Sequence, residues 1–212
     1  MEPTVPGLID DPHARRLPAS AQAQLGRVLG LFRSSLGSAL RDVILHGSAA
    51  TSGFAPGRSD LDLLALVDEG LSDEPRQRLG AGLLAGQAHR ARFTQGDAPP
   101  TAGSDEDLAA HLSVARARGI ALLGRLDTAA LPMVPRRDYL RAIASDFAWA
   151  ERAGLAAYAH ANACRTLAYL RSGEILSKHE GLAWCTDQGV DSAHVLEAAL
   201  LELQRALDED GP

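Results

Sequence analysis

The spacing of apolar residues divides the chain into two parts. In the first part, short apolar runs predict strands at Asp42–Leu45, Leu61–Val67 and Ile120–Leu123, with a further short one at His89–Thr94. Helical spacing predicts three helices: Ser20–Leu36 with Ser20 as N-cap, Asp73–Ala88, and one that begins at the N-cap Ser104 and ends before Gly119. The first part is therefore expected to be a small sheet with helices packed on it.

The second part has helical spacing only. It follows a proline-containing linker at Leu126–Arg137, and its predicted helices are Arg137–Ala153, Leu155–Leu170, Lys178–Gln188 and Ser192–Leu207. The predicted fold class is α/β (α+β), with a small mixed-sheet domain over residues 1–128 and an α-helical bundle domain over residues 129–212.

Composition and charge narrow the classes of partner. A net charge of −6 argues against a protein that binds duplex nucleic acid, although it suits a polycationic small substrate. Cys164 and Cys185 are expected to be free thiols rather than a disulfide framework. No apolar run approaches the roughly 20 residues of a membrane span, and the N-terminus lacks the order of a signal peptide. We therefore expect a cytoplasmic monomer with no membrane partner.

The strongest chemical signal is a Gly-Ser turn followed by an Asp-x-Asp pair. The apolar strand leads into Gly47-Ser48, and after eleven intervening residues come Asp60 and Asp62. Side chains two apart in a strand leave the same face, so these carboxylates are expected to point together toward the turn. Two carboxylates suit Mg²⁺, while Gly47 and Ser48 can hold phosphate oxygens. The pattern predicts a metal-dependent nucleotidyl-transfer site; the alternative is an ordinary turn with solvated aspartates.

Lysine usage singles out one further residue. The chain has 21 Lys and Arg residues, of which only Lys178 is a lysine. A lysine that persists in such a composition can be required as a compact charge that binds phosphate. The alternative is a chance survivor on a helix surface.

Both signals fit one known family. The Gly-Ser turn, the spacer and Asp60-Leu61-Asp62 resemble the polymerase-β-type nucleotidyltransferase superfamily. The stretch Asn162–Leu170 and the segment Leu176-Ser177-Lys178-His179-Glu180-Gly181-x-x-Trp184 resemble the helical domain of aminoglycoside 3''-adenylyltransferases, which modify streptomycin and spectinomycin. The resemblance implies that residues 1–128 form a nucleotidyltransferase domain.

The resemblance implies a set of roles. ATP would bind between the two domains as co-substrate, and AMP would pass to a hydroxyl of an aminoglycoside-type drug. Asp60 and Asp62 would be the catalytic carboxylates and would carry two Mg²⁺ ions. The implied nucleotide-binding residues are Gly47, Ser48, Ser59, Arg165 and Lys178. Arg165 could instead form only a salt bridge on its helix.

The sequence also departs from the family. The resemblance implies a glutamate that serves as general base on a later strand, but Arg92–Gly96 has none, and the nearest carboxylate, Asp97, begins a loop. The stretch Glu197–Leu207 lacks the aromatic residue that packs on adenine in the family. Three alternatives therefore remain: an enzyme with another base, an adenylyltransferase for another acceptor, or a non-catalytic nucleotide-binding protein.

Other polar and aromatic residues have structural interpretations. His46 is expected to pack at the end of its strand rather than to bind phosphate. Trp149, Tyr158 and Trp184 are expected in the helical core rather than as platforms for a drug. We expect Asp146 and Glu151 to lie on a solvated helix face rather than opposite a cationic drug.

Overall fold

A computed structural model describes residues 14–51, 53–57, 59–68 and 106–210, together with residues 12, 74, 75 and 77–79. The strands are β1 (Leu40–His46), β2 (Asp62–Val67) and β3 (Ile120–Leu123). Among the described residues, the structure has α-helices α1 (Ala19–Leu36), α2 (Glu106–Arg118), α3 (Arg136–Arg152), α4 (Ala156–Ser172), α5 (Lys178–Asp187) and α6 (Val195–Glu209). No described helix is long and apolar enough to cross a membrane.

The three described strands form a sheet in the order β2-β1-β3. Both pairings are antiparallel, so this part of the chain does not contain the mixed pairing that was predicted. The reason is topological: the chain reverses direction through the loop after Gly47–Ala50, and β2 returns along β1 with His46 opposite Asp62. The predicted combination of a small sheet and several helices is confirmed.

The central strand is buried on both faces. Val43 and Leu45 pack into a core with α1, while Ile44 packs on the opposite face against Ala115 of α2. Alternation of side chains along a strand therefore divides the apolar run of β1 between two helices. Such two-sided burial explains why Val43, Ile44 and Leu45 are all apolar.

The predicted elements that fall within the described residues agree with the structure apart from their ends. Helix α1 begins at Ala19 after Pro18, with no side-chain cap, so the prediction of Ser20 as N-cap is wrong. Proline presets its own backbone angle, which allows the helix to start one residue earlier. The predicted cap Ser104, the loop at 96–103 and the strand His89–Thr94 lie outside the described residues, as does most of the helix Asp73–Ala88.

The helical part is built around α4. Its small, buried residues allow α3, α5 and α6 to pack closely around it, and the core contains Leu140, Leu167, Val195 and Leu203. Cys164 and Cys185 are free and buried in this core, as predicted. Burial raises the pKa of the Cys164 thiol to about 12, and the neighbouring Cys185 also raises it. This thiol is therefore protonated at neutral pH.

One buried carboxylate anchors the loop after β3. Asp42 is 5% exposed and accepts a 3.2 Å hydrogen bond from the backbone N–H of Leu126. Gly124 has a φ of 80° and leaves room for that carboxylate, because a Cβ there would overlap it. This hydrogen bond thus fixes the segment between β3 and the helical part to the sheet.

We predict that Asp42→Ala lowers the free energy of unfolding by about 1–3 kcal/mol, because it leaves a backbone N–H of the loop without its partner. Urea unfolding measures the change. The control is Asp68→Ala, which removes an exposed carboxylate paired with Arg41 at 3.2 Å; its effect should stay below about 1 kcal/mol. Equal losses in the two variants would contradict the anchoring role.

Candidate active site

The two predicted carboxylates lie where β2 begins. Asp62 is the first residue of the strand, and Asp60 precedes it by two residues. Leu61 and Leu63 pack into the core beside α1, whereas Leu64 packs on the face toward α2. Alternation therefore places Asp62 on the α2 face of the sheet, away from the core that Leu61 and Leu63 enter.

Gly47 and Asp62 are in close contact. Gly47 has a φ of 65°, and a Cβ on it would lie 3.0 Å from Cγ of Asp62 and overlap its carboxylate oxygen. The turn Gly47–Ala50 is closed by Thr51, whose backbone N–H donates to the carbonyl of Ser48 at 3.3 Å. Only glycine satisfies both the backbone angle and the approach of the carboxylate.

Ser59 has a structural contact in the loop before the carboxylates. Its hydroxyl accepts a 3.0 Å hydrogen bond from the N–H of Ala55, and its own N–H donates to the Ala55 carbonyl at 2.9 Å. Ser59 therefore closes the loop that delivers Asp60 to the start of β2. Its predicted contact with a nucleotide stays a prediction.

Two histidines lie beside the carboxylates. His46 is 3% exposed and meets the ring of His111, on α2, edge to face at 5.0 Å between centroids. Burial lowers the pKa of His46 to about 3, and His111 lowers it further, so His46 is neutral. The packing interpretation of His46 is confirmed. His111 was not identified from the sequence, because a single histidine on a helix carries no motif.

The helical part contributes two cations that face these carboxylates. Helices α4 and α5 pack so closely that a Cβ on Gly181 would lie 2.8 Å from the backbone nitrogen of Arg165. This contact brings Lys178, in the first turn of α5, next to Arg165. Both cations act electrostatically on Asp62. The structure thus brings together four of the predicted site residues from distant parts of the chain.

A bridge between the two parts holds the start of α5. Arg118, the last residue of α2, donates a 2.7 Å hydrogen bond to Oε1 of Glu180 and a 3.4 Å one to the carbonyl of Ile175. The other oxygen of Glu180 accepts from the N–H of Ser177, and the Ser177 hydroxyl accepts from the N–H of Glu180. This capping box fixes the turn that carries Lys178.

A third carboxylate lies among the cations, contrary to prediction. Asp146 of α3 is half-buried and accepts a 2.9 Å hydrogen bond from the Tyr158 hydroxyl and another from the Asn162 amide. It also lies 3.8 Å from the Arg165 guanidinium. The expectation of a solvated Asp146 was wrong, since three side chains of α4 enclose it. Glu151, by contrast, is exposed as expected.

Tyr158 also departs from its predicted place in the core. The ammonium of Lys178 lies 3.6 Å from the centroid of its ring, which is a cation–π contact. Trp149 packs against the same ring, edge to face, at 5.4 Å. Burial raises the pKa of Tyr158 to about 12, and Asp146 also raises it, so the hydroxyl remains a donor. Trp184 packs against the helical core, as predicted.

Burial shifts the pKa values of Asp62 and Lys178 in opposite directions, each toward the neutral form. It raises the pKa of Asp62, and Asp60 also raises it, while His111, Lys178 and Arg165 act in the other direction. Burial and Arg165 lower the pKa of Lys178 to about 8, against the opposing effect of three carboxylates, Asp146, Asp62 and Asp60. Charged groups withdrawn from water in this way are typical of functional sites.

The carboxylates fit a magnesium ion that is shared with phosphates. Within the described part of the chain, no group of three or more His, Cys, Asp or Glu residues could hold a metal alone. Mg²⁺ is commonly held by one or two carboxylates, with waters and substrate phosphates completing its shell. Asp60 and Asp62 supply that number, and burial of Asp62 beside Asp60 favours a cation there.

A sequence signal for the network around Asp146 existed on α4. Tyr158, Asn162 and Arg165 stand at positions i, i+4 and i+7, so they form one polar stripe on a helix that is otherwise mostly small and apolar. This spacing does not predict which residue the stripe contacts, because that residue, Asp146, lies on a different helix. The capping box Ser177-x-x-Glu180 was likewise visible in the sequence.

Comparisons with known proteins agree with this fold. Residues 129–210 match the family model of the aminoglycoside adenylyltransferase C-terminal domain. Among solved structures, the chain is similar to spectinomycin adenyltransferase AAD(9) from Enterococcus faecialis, determined with ATP and spectinomycin. The identity is 20%, the TM-score is 0.64, and the similarity covers 87% of this chain and 89% of that one. No curated protein matches the chain significantly. The predicted resemblance to aminoglycoside adenylyltransferases is confirmed over the helical part, and the chain has the adenylyltransferase fold.

We predict that Gly47→Ala weakens Mg²⁺ binding more than tenfold, because the added Cβ must displace the Asp62 carboxylate. Calorimetric titration of Mg²⁺ in the presence of ATP measures the change. The matched control is Gly57→Ala, whose φ is 75° and whose Cβ would meet nothing within 4 Å. Both variants should lose about 1–3 kcal/mol of stability from backbone strain. Similar Mg²⁺ affinities in both would show that the contact with Asp62 is unimportant.

Proposed function

We propose that the chain is a magnesium-dependent nucleotidyltransferase that transfers AMP from ATP to a hydroxyl of an aminoglycoside-type antibiotic of the streptomycin and spectinomycin class. One observation carries the proposal. Two carboxylates at the start of β2 face two cations from α4 and α5, and these groups come from opposite parts of the chain. The similarity to an adenyltransferase determined with ATP and spectinomycin supports this choice of substrates.

Each group has a distinct task in this proposal. Arg165 and Lys178 would bind the phosphates and stabilise the negative charge that develops on the leaving pyrophosphate. Backbone N–H groups and the hydroxyl of the Gly47-Ser48 turn would hold phosphate oxygens. Asp60 and Asp62 would hold Mg²⁺, which when bound polarises the α-phosphate and the attacking hydroxyl. The acceptor hydroxyl would attack the α-phosphorus and release its proton to water, while the bond from the α-phosphorus to the bridging oxygen breaks and pyrophosphate leaves.

The test is mass spectrometry of the purified protein incubated with ATP, Mg²⁺ and a panel that contains streptomycin and spectinomycin. We expect one drug to gain the mass of AMP. Asp62→Asn should lower the rate at least about a hundredfold, because it removes a magnesium ligand. Asp68→Asn, at the exposed end of the same strand, should leave the rate unchanged.

The absence of the family glutamate from Arg92–Gly96 favours one second candidate, a nucleotide-binding protein without transfer activity. Binding of ATP without any adduct would support that candidate and contradict ours. An adduct on a protein in place of a drug would support a different acceptor. Adduct formation that survives Asp62→Asn would contradict the proposed site.

We predict that ATP binding weakens as pH rises through about 8, because Lys178 is charged below its lowered pKa and neutral above it. Between about pH 7 and pH 9 the charged fraction of such a lysine falls roughly tenfold, which sets the largest loss of affinity. Titration calorimetry at several pH values measures it. In Lys178→Arg the guanidinium stays charged, so affinity should vary little over this range. The same pH dependence in both proteins would assign it to another group.

A further inference from the structure

A network centred on Asp146 lies behind the two cations. The carboxylate accepts hydrogen bonds from the Tyr158 hydroxyl at 2.9 and 3.2 Å and from the Asn162 amide. Its 3.8 Å separation from Arg165 is an ion pair without a direct hydrogen bond. The carboxylate is therefore fixed by two neutral donors, and it holds the guanidinium by charge rather than by a direct hydrogen bond.

The same network supports Lys178 through the tyrosine ring. Because the Tyr158 hydroxyl is bound to Asp146, the ring is held in the plane on which the Lys178 ammonium rests, 3.6 Å from its centroid. Asp146 also favours the charged form of Lys178. One carboxylate on α3 thus influences both the position and the charge of cations on α4 and α5.

Asn162 indicates that this network is not there for stability alone. It is 2% exposed, and its side-chain oxygen has no hydrogen-bond partner among the described residues. A buried acceptor without a partner costs stability, so an apolar residue would suit the core better at this position. Asparagine at this position instead supplies the amide N–H that donates to Asp146.

We propose that Asp146 is a positioning residue, which through Tyr158 and Asn162 holds Arg165 and Lys178 ready to receive the phosphates of a nucleotide. This inference rests on the proposed function and adds to it a residue that does not touch the reacting atoms. Preorganised groups bind more tightly because the cost of ordering them has already been met in the free protein.

The sign of the effect makes the inference testable. Asp146 is negative and lies near the site of an anionic ligand, so at pH 6, well below the lowered pKa of Lys178, electrostatics alone would have Asp146→Asn tighten nucleotide binding. A positioning role requires the opposite. We expect Asp146→Asn to weaken the binding of Mg²⁺ and α,β-methylene-ATP about tenfold, as for the loss of one hydrogen-bonded charge. The control is Asp138→Asn, an exposed aspartate on the same helix, which should leave the affinity unchanged.

Two tyrosine variants separate the hydroxyl from the ring. Tyr158→Phe keeps the ring beneath Lys178 but loses the hydrogen bond to Asp146, so we expect an intermediate loss of affinity. Tyr158→Leu removes both contacts and should weaken binding at least as much as Asp146→Asn. Thermal unfolding of each variant is measured alongside, because a purely structural role would lower the melting temperature and leave the affinity of the folded protein intact.

The outcomes distinguish this inference from the proposed function. Unchanged or tighter binding in Asp146→Asn, with normal binding by the unaltered chain, would overturn the positioning role and leave the proposed function standing. No binding by the unaltered chain would overturn the proposed function and this inference with it. Weaker binding in Tyr158→Phe, and still weaker binding in Tyr158→Leu, would support the inference if Asp138→Asn is unaffected.

Discussion

The site depends on the ion pair between Arg118 and Glu180, because it joins the sheet-bearing part of the chain to the first turn of α5. Each side chain is about one-third exposed, and their 2.7 Å contact is reinforced by the capping box that Glu180 forms with Ser177. A pair with this exposure contributes modestly to stability. Its importance lies in its position, since it holds Lys178 opposite the carboxylates of β2.

Burial of these charges opposes stability. Asp62 and Lys178 both have pKa values moved by burial toward their neutral forms, which means that each is less well solvated than in water. Arg165 offsets part of that cost for Asp62, and Asp146 offsets part of it for Lys178, whereas Asp60 disfavours the charge of Asp62 and Arg165 that of Lys178. A polyphosphate and a divalent cation would offset more, because they place opposite charge beside each of the two groups. Binding of such ligands would therefore stabilise the protein, because it would offset the desolvation cost of Asp62 and Lys178.

The sequence predicted the elements better than the contacts between them. The strand β1 and the paired aspartates were readable because alternation and the Gly-Ser turn are local patterns. Arg165 and Lys178 were reached through family resemblance, and their meeting with Asp62 depends on close packing at Gly181 that no local pattern encodes. Asp146 was misjudged for the same reason: a carboxylate on an amphipathic helix gives no sign that the neighbouring helix presents a tyrosine, an amide and a guanidinium to it.

The geometry also explains why one lysine persists in a chain that otherwise uses arginine. Lys178 has to rest its charge on the face of Tyr158 while lying beside Arg165, in the turn that Arg118 and Glu180 hold in place. A compact ammonium can contact the ring and still turn a donor toward a phosphate, whereas a planar guanidinium is larger and spreads its donors in one plane. Lys178 lies beside Arg165 because α4 and α5 approach each other closely at Gly181.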